Sequence, residues 1–227
     1  MTARIGILGL QGDVAEHARA LMSVGADPVV VRSAQDLAGV SGLVIPGGES
    51  TTISQLAVTL ALLAPIRDAI AAGLPAFGTC AGMIMLANEV LDGRPDQEQF
   101  GGLDITVRRN AFGRQVDSFE SPVVVAGVPG SSFPGVFIRA PWVERVGPDV
   151  EVLAQVPGPR PSERGLSVGN QSNLPPTGGV GTELVPRDTL GGGDRIVTVR
   201  QGSVLATAFH PEITHDDRLH ALFLTMV

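Results

Sequence analysis

The feature that most constrains this chain is the alternation of short apolar runs with helix-patterned sequence in its N-terminal part. Residues 5–10, 29–31, 43–45 and 75–78 are apolar and brief, with helical spacing between them. Runs so short and so rich in β-branched residues predict strands buried on both faces. Gly12 and Asp13 open the first helix, whose apolar positions include Val14, Ala18, Leu21 and Val24, and Gly25 ends it. Helical sequence resumes near Thr52, with a break predicted at Pro65, and returns over residues 83–90. This order predicts an α/β fold of three layers: a mostly parallel central sheet with helices on both faces, flavodoxin-like.

The second half is richer in strands, at residues 103–107, 121–125, 136–138, 151–156, 195–200 and 204–208, and a helix over 216–227 closes it. Residues 1–227 therefore read as a single domain. Within it, residues 157–193 are rich in Pro, Gly and Ser without periodicity, which predicts a mobile surface insertion.

Composition narrows the function classes. The chain carries a net charge of -7 and its 16 cationic residues are scattered, so no basic stripe is available to a phosphate backbone and no nucleic acid is expected. Not one residue is a lysine. A P-loop of the usual kind and a Schiff base on this chain are thereby excluded, so any imine chemistry must belong to another protein. With 1 cysteine no internal disulfide can form. No apolar stretch approaches the roughly 18 residues of a membrane span, and no leader is expected at the N-terminus. The expected setting is cytoplasmic, without a membrane.

The sharpest local signal is Gly78-Thr79-Cys80-Ala81-Gly82, between a strand and a helix. It has the G-x-nucleophile-x-G pattern of a strained strand-to-helix elbow, with cysteine as nucleophile. The exposed amides and the helix dipole at such a turn favour thiolate. Taken alone, a free cysteine is more often buried and inert. The elbow, together with a base downstream, reverses that reading. The base is His210 in Ala208-Phe209-His210-Pro211-Glu212. A thiolate needs an imidazole to take and return a proton, and the imidazole needs a carboxylate to fix its tautomer. Pro211 favours an extended segment in which His210 and Glu212 point the same way.

A second constellation, Pro46-Gly47-Gly48-Glu49-Ser50-Thr51-Thr52, follows the third strand. Consecutive glycines let amides converge on an oxyanion. A plain turn and a helix capped by Ser50 or Thr51 is compatible with that role. Glycines at 6, 9 and 12 do not give the dinucleotide-binding spacing. His17 reads as a surface or contact residue, and His215 and His220 as solvated or capping residues. A metal site from His210, Glu212 and His215 has little support in its spacing.

These residues resemble the class I glutamine amidotransferases, and within them the glutaminase subunits of pyridoxal 5'-phosphate synthase. The resemblance rests on Gly9-Leu10-Gln11-Gly12, residues 43–52 and 77–82, Arg109-Asn110, residues 112–120, residues 135–141 and residues 209–212. It implies that Cys80 attacks the side-chain amide of L-glutamine, that His210 is the acid–base and that Glu212 orients it. It also implies an oxyanion hole from the amides of Gly48 and Ala81. Glutamine would be held by Gly48, Glu49, Ser50, Arg109, Ile138 and Arg139. Gln11 would organise the oxyanion site at the interface with a (β/α)8-barrel synthase subunit that takes the ammonia. The implied assembly is a double ring of twelve synthases decorated by up to twelve glutaminases, and the glutaminase itself carries no metal or organic cofactor. In the relatives a short turn replaces residues 157–193.

Three other readings share part of this evidence. An amidotransferase serving another synthetase would have the same triad, but residues 114–120 argue for this subfamily. A cysteine peptidase would use the elbow without the Gly47-Gly48 loop beside Arg109. A binding module would bury Cys80 and lose nothing on Cys80→Ser.

Overall fold

The strands predicted in the N-terminal part form the parallel half of a ten-stranded sheet in a computed structural model that describes residues 2–109, 118–158 and 193–227. They are β1 (Arg4–Leu8), β2 (Asp27–Val31), β3 (Gly42–Ile45) and β4 (Ala76–Thr79), joined through α1 (Val14–Ser23), α2 (Ala34–Leu37), α3 (Ser50–Thr59) and α4 (Leu63–Ala71). β1 lies between β2 and β3, with Ile7 opposite Val30 on one side and Val44 on the other. Strand β12 (Val204–Thr207) adds parallel to β4. Every residue of β3, β4 and β12 is buried, as strands covered on both faces must be.

Helices do cover both faces. Adjacent residues of a strand point to opposite sides. The ring of Phe77 meets His220 and Phe223 of α6 (Arg218–Leu224) at 5.5 and 5.7 Å between centroids. Its neighbour Gly78 abuts Gly82 and Leu86 of α5 (Ala81–Leu86) on the other side.

The second half is antiparallel where the first is parallel. The order beyond β12 is β11 (Asp194–Gln201), β9 (Trp142–Val146), β6 (Leu103–Arg108) and β5 (Ala87–Leu91), with β10 (Glu151–Pro157) also paired to β11. Of these, only β5 and β6 run parallel. A separate two-stranded ribbon pairs β7 (Phe119–Val123) with β8 (Phe133–Phe137). Pro157 pairs with Asp194 and the Gly158 amide donates to Gly193 carbonyl at 2.7 Å. The two ends of the predicted insertion are thus joined, while residues 159–192 lie outside the described residues.

Some expectations about elements require correction. Pro65 does not break a helix: it sits in the first turn of α4, where its missing N–H is not needed, and the break falls at Leu60–Leu62. The helix expected over residues 83–90 ends at Leu86, because the next residues pair with β6 as β5. Strands β5 and β9 and the short α2 are additional to the predicted set. Among the described residues no single helix is long and apolar enough to cross a membrane.

Candidate active site

Thr79 ends β4 and Ala81 begins α5, so Cys80 alone makes the turn, at φ 49° and ψ −104°. That is a left-handed φ in a non-glycine residue, a strain held in place by its surroundings. Its amide is tied to the Thr207 carbonyl of β12 at 2.8 Å. The flanking glycines are required by close approach. A Cβ on Gly82 would lie 2.0 Å from the Ile45 carbonyl oxygen, and one on Gly78 2.5 Å from the Gly82 carbonyl carbon. The elbow therefore works only where strand, turn and helix touch backbone to backbone.

His210 follows β12 and is held at its main chain, where its amide donates to Val136 carbonyl at 3.0 Å. Its Nδ1 lies 2.7 Å from Glu212 Oε1, and Cys80 is near enough to the ring to raise its pKa. Glu212 is fully buried. Burial pushes the His210 pKa down, but the hydrogen bonds and charges of Cys80 and Glu212 outweigh it and raise it to about 10. A protonated imidazole is thus favoured beside the Glu212 carboxylate and Cys80. The route to this geometry differs from the extended segment expected from sequence. Pro211–Ile213 is a 3-10 turn, with Pro211 at its start where no N–H is missed. The turn still swings the carboxylate back onto the ring.

The loop after β3 packs on this pair. A Cβ on Gly47 would sit 2.4 Å from His210 Cε1, so only glycine lets the imidazole lie on the main chain there. Gln11, exposed on the loop after β1, accepts the Glu49 amide on Oε1 at 3.1 Å. Glu49, rather than Ser50 or Thr51, caps α3: its Oε2 accepts the Thr52 amide at 3.0 Å and the Thr51 hydroxyl. Burial raises the Glu49 pKa, but these bonds and the Arg109 charge bring it below the ordinary value. Arg109 in turn donates from Nη2 to Glu49 Oε1 at 2.8 Å and from Nη1 to Gln97 Oε1 at 3.0 Å.

Gly48, Glu49, Ser50, Arg109, Ile138 and Arg139 all line one cleft of about 250 Å³, together with Cys80 and Ala81. The expected glutamine-gripping set is thus brought to one place. The Cys80 sulfur faces the Ile138 carbonyl at 3.9 Å, and Arg139 has φ 45°, which turns the chain at the cleft's rim. Ser50 is buried and its hydroxyl has no partner, so it is free for a ligand in the cleft. Of the residues cited for the subfamily resemblance, 110–117 lie outside the described residues.

Four contributors escaped the sequence reading. Ile84 of α5 lines the cleft and Gln97 steadies Arg109. His17 and His220 are not surface or capping residues: both are fully buried behind the triad. The signal existed, since positions 14, 17, 18 and 21 share one helical face, as do 219, 220 and 223. Gln97, in an irregular segment, gave no such signal. His215 is exposed, with φ 56°. Among the described residues, the group with metal-ligand spacing is instead Asp13, His210 and Glu212, whose ligand atoms lie within 4.8 Å of one another. An ion on His210 Nδ1 would displace the Glu212 bond.

Comparison with known proteins agrees with this geometry. The model of the SNO glutamine amidotransferase family matches residues 7–166. A pyridoxal 5'-phosphate synthase subunit PdxT of Acidothermus cellulolyticus is 54% identical over 224 residues, covering 99% of this chain and 93% of the relative. One of the same description from Salinispora arenicola is 55% identical, covering 98% and 96%. A crystal structure described as a glutamine amidotransferase superposes with TM-score 0.77 at 42% identity, over 98% of this chain and 97% of that one. PurLQS from Thermotoga maritima, at 16% identity and TM-score 0.58, shares the fold. With a family match across most of its length and relatives this similar, the chain belongs to the SNO glutamine amidotransferase family.

Proposed function

We propose that this chain is the glutaminase subunit of a pyridoxal 5'-phosphate synthase, hydrolysing L-glutamine to L-glutamate and ammonia for vitamin B6 biosynthesis. The observation that carries the chemistry is the grouping of Cys80, His210 and Glu212, with Cys80 lining a cleft that Arg109 also lines. Relatives named as synthase subunits, at 54–55% identity over nearly the full chain, support the pathway.

The Cys80 thiolate attacks the glutamine side-chain carbonyl carbon, and its oxygen becomes an oxyanion. The amides of Gly48 and Ala81 stabilise that charge. His210 then protonates the departing nitrogen, the C–N bond breaks, and ammonia leaves a glutamyl thioester on Cys80. His210 next accepts a proton from water as the water attacks the thioester. The C–S bond breaks, which releases glutamate and regenerates the thiolate–imidazolium pair. Glu212 keeps the imidazole's proton-bearing Nδ1 facing itself, so the other nitrogen serves the sulfur and substrate. Arg109 grips the α-carboxylate, with Glu49, Ser50, Ile138 and Arg139 completing the cleft. None of these steps calls on a metal or organic cofactor.

Ammonia passes to a (β/α)8-barrel synthase subunit, which supplies the lysine chemistry this chain lacks, in an assembly of up to twelve with twelve. Gln11 is the contact that signals docking, because it is exposed and bonded to the oxyanion loop. We read residues 1–227 as one cytoplasmic domain, with residues 157–193 as a surface insertion. The test is glutamate release with and without the synthase subunit. Release that rises with the synthase is expected; release indifferent to it would assign the chain to another acceptor.

A further inference from the structure

Behind the triad lies a buried pair of histidines that the mechanism above does not use. Glu212 gives Oε1 to His210, but its fully buried Oε2 has no hydrogen-bond partner. His17 Nε2 lies 3.7 Å from it. That nitrogen is also 3.3 Å from Thr79 Oγ1, on the residue before the nucleophile. The other ring nitrogen of His17, Nδ1, lies 3.0 Å from His220 Nε2. His17 comes from α1 and His220 from α6, so two helices converge on one carboxylate. Arg19 of α1 adds to the grip by donating to the Glu212 main-chain carbonyl at 2.9 Å.

Hydrogen-bond chemistry selects one arrangement of protons. If His17 carried its proton on Nδ1, a bare nitrogen lone pair would face the Glu212 carboxylate, and His220 would bury an orphan N–H on Nδ1. If His220 Nε2–H donates to His17 Nδ1 instead, His17 Nε2–H points at Glu212 Oε2 and Thr79 Oγ1. Only a bare acceptor on His220 Nδ1 is then left over, in keeping with its lack of a partner. We infer that His17, set in its tautomer by His220, is a positioning residue that holds Glu212 Oε2 and so aims Oε1 at His210. This rests on the triad reading above.

Neutrality is part of the role. Burial, His220 and His210 hold the His17 pKa well below the ordinary 6.5, so His17 contributes a dipole and no competing cation. Burial, opposed by Asp217 and reinforced by Arg19, likewise lowers His220 to about 4. A charged His17 would pull Glu212 away from the imidazolium it supports.

The test separates the two ring nitrogens. A glutamine side chain reaches as far as Nε2 and an asparagine only as far as Nδ1. In the complex with the synthase subunit, His17→Asn lowers kcat for glutamine by about tenfold or more. His17→Gln remains within about threefold of wild type, and KM stays within about twofold in both. On the full chain alone, the pH profile of Cys80 alkylation by iodoacetamide shifts in His17→Asn and returns in His17→Gln. A structural role for His17 would depress both variants together, through lower stability, without moving the alkylation profile. Equal activity in the two variants, or an unshifted profile, overturns the inference. Wild type that releases no glutamate while its Cys80 profile responds to His17 would instead count against the glutaminase reading alone.

Discussion

The two walls of the cleft are built on different physical terms. The wall carrying Cys80, with His210 and Gly47 behind it, is close-packed at the main chain: an added Cβ would meet backbone at 2.0 Å at Gly82 and 2.5 Å at Gly78, and the His210 ring at 2.4 Å at Gly47. The wall carrying Glu49 and Arg109 is made of side chains partly open to water, with Arg109 14% and Glu49 38% exposed. In the proposed mechanism the first wall fixes where bonds are made and broken. The second can adjust to the ligand it holds. Changes on the first wall should appear in kcat or in the fold itself, and changes on the second in KM.

The largest expected effect is on the first wall. Cys80→Ala abolishes glutamate release while circular dichroism and complex formation with the synthase are retained. Loss of release only together with unfolding would undo the catalytic assignment. Next is Gly82→Ala, whose methyl group meets the Ile45 carbonyl. It is expected to destabilise by about 1–3 kcal/mol, several degrees in the melting midpoint, with activity falling alongside. An unchanged midpoint would mean that the elbow is less tightly built than described.

The second wall should respond more gently and in a different parameter. Arg109→Lys keeps the charge but loses the fork, and should raise KM for glutamine by about 10- to 100-fold with kcat within a few fold. A fall in kcat at constant KM would erase the distinction between the walls. Gln11→Ala should lower release by up to about tenfold, and only when the synthase is present. An equal loss without the synthase would confine Gln11 to loop structure.

A further effect is one of pH. His210 has a folded pKa raised from 6.5 to about 10, so its contribution to stability is complete below about pH 6.5 and disappears as pH rises toward 10. Urea midpoints should fall over that window, and less steeply in Cys80→Ala, which lacks one of the two groups that raise this pKa. Parallel slopes would remove the sulfur from the pair.

What could be read in the sequence follows the same division. The elbow and the His-x-Glu pair were legible because backbone contact demands particular residues at fixed spacing. The parallel half of the sheet was legible because strands buried on both faces must be apolar throughout. The antiparallel half was only partly so: β5 is Ala-Asn-Glu-Val-Leu, and its helical appearance yields only when β6 is there to pair with it. His17 and His220 meet across 203 positions of sequence, a distance over which local spacing carries no information. The turn at Pro211 shows that a right pairing can be reached through a different local shape, because His210 is anchored by Val136 and not by its own segment.

The dihedral angles of Cys80 carry an evolutionary consequence. A residue held at φ 49° stores roughly 1–3 kcal/mol that glycine at the same position would largely release. Selection for thermal robustness alone would therefore remove the nucleophile, and Cys80→Gly should give a hardier but inert protein. In the proposed mechanism, the one cysteine in the chain is the point where turnover is gained at the expense of durability.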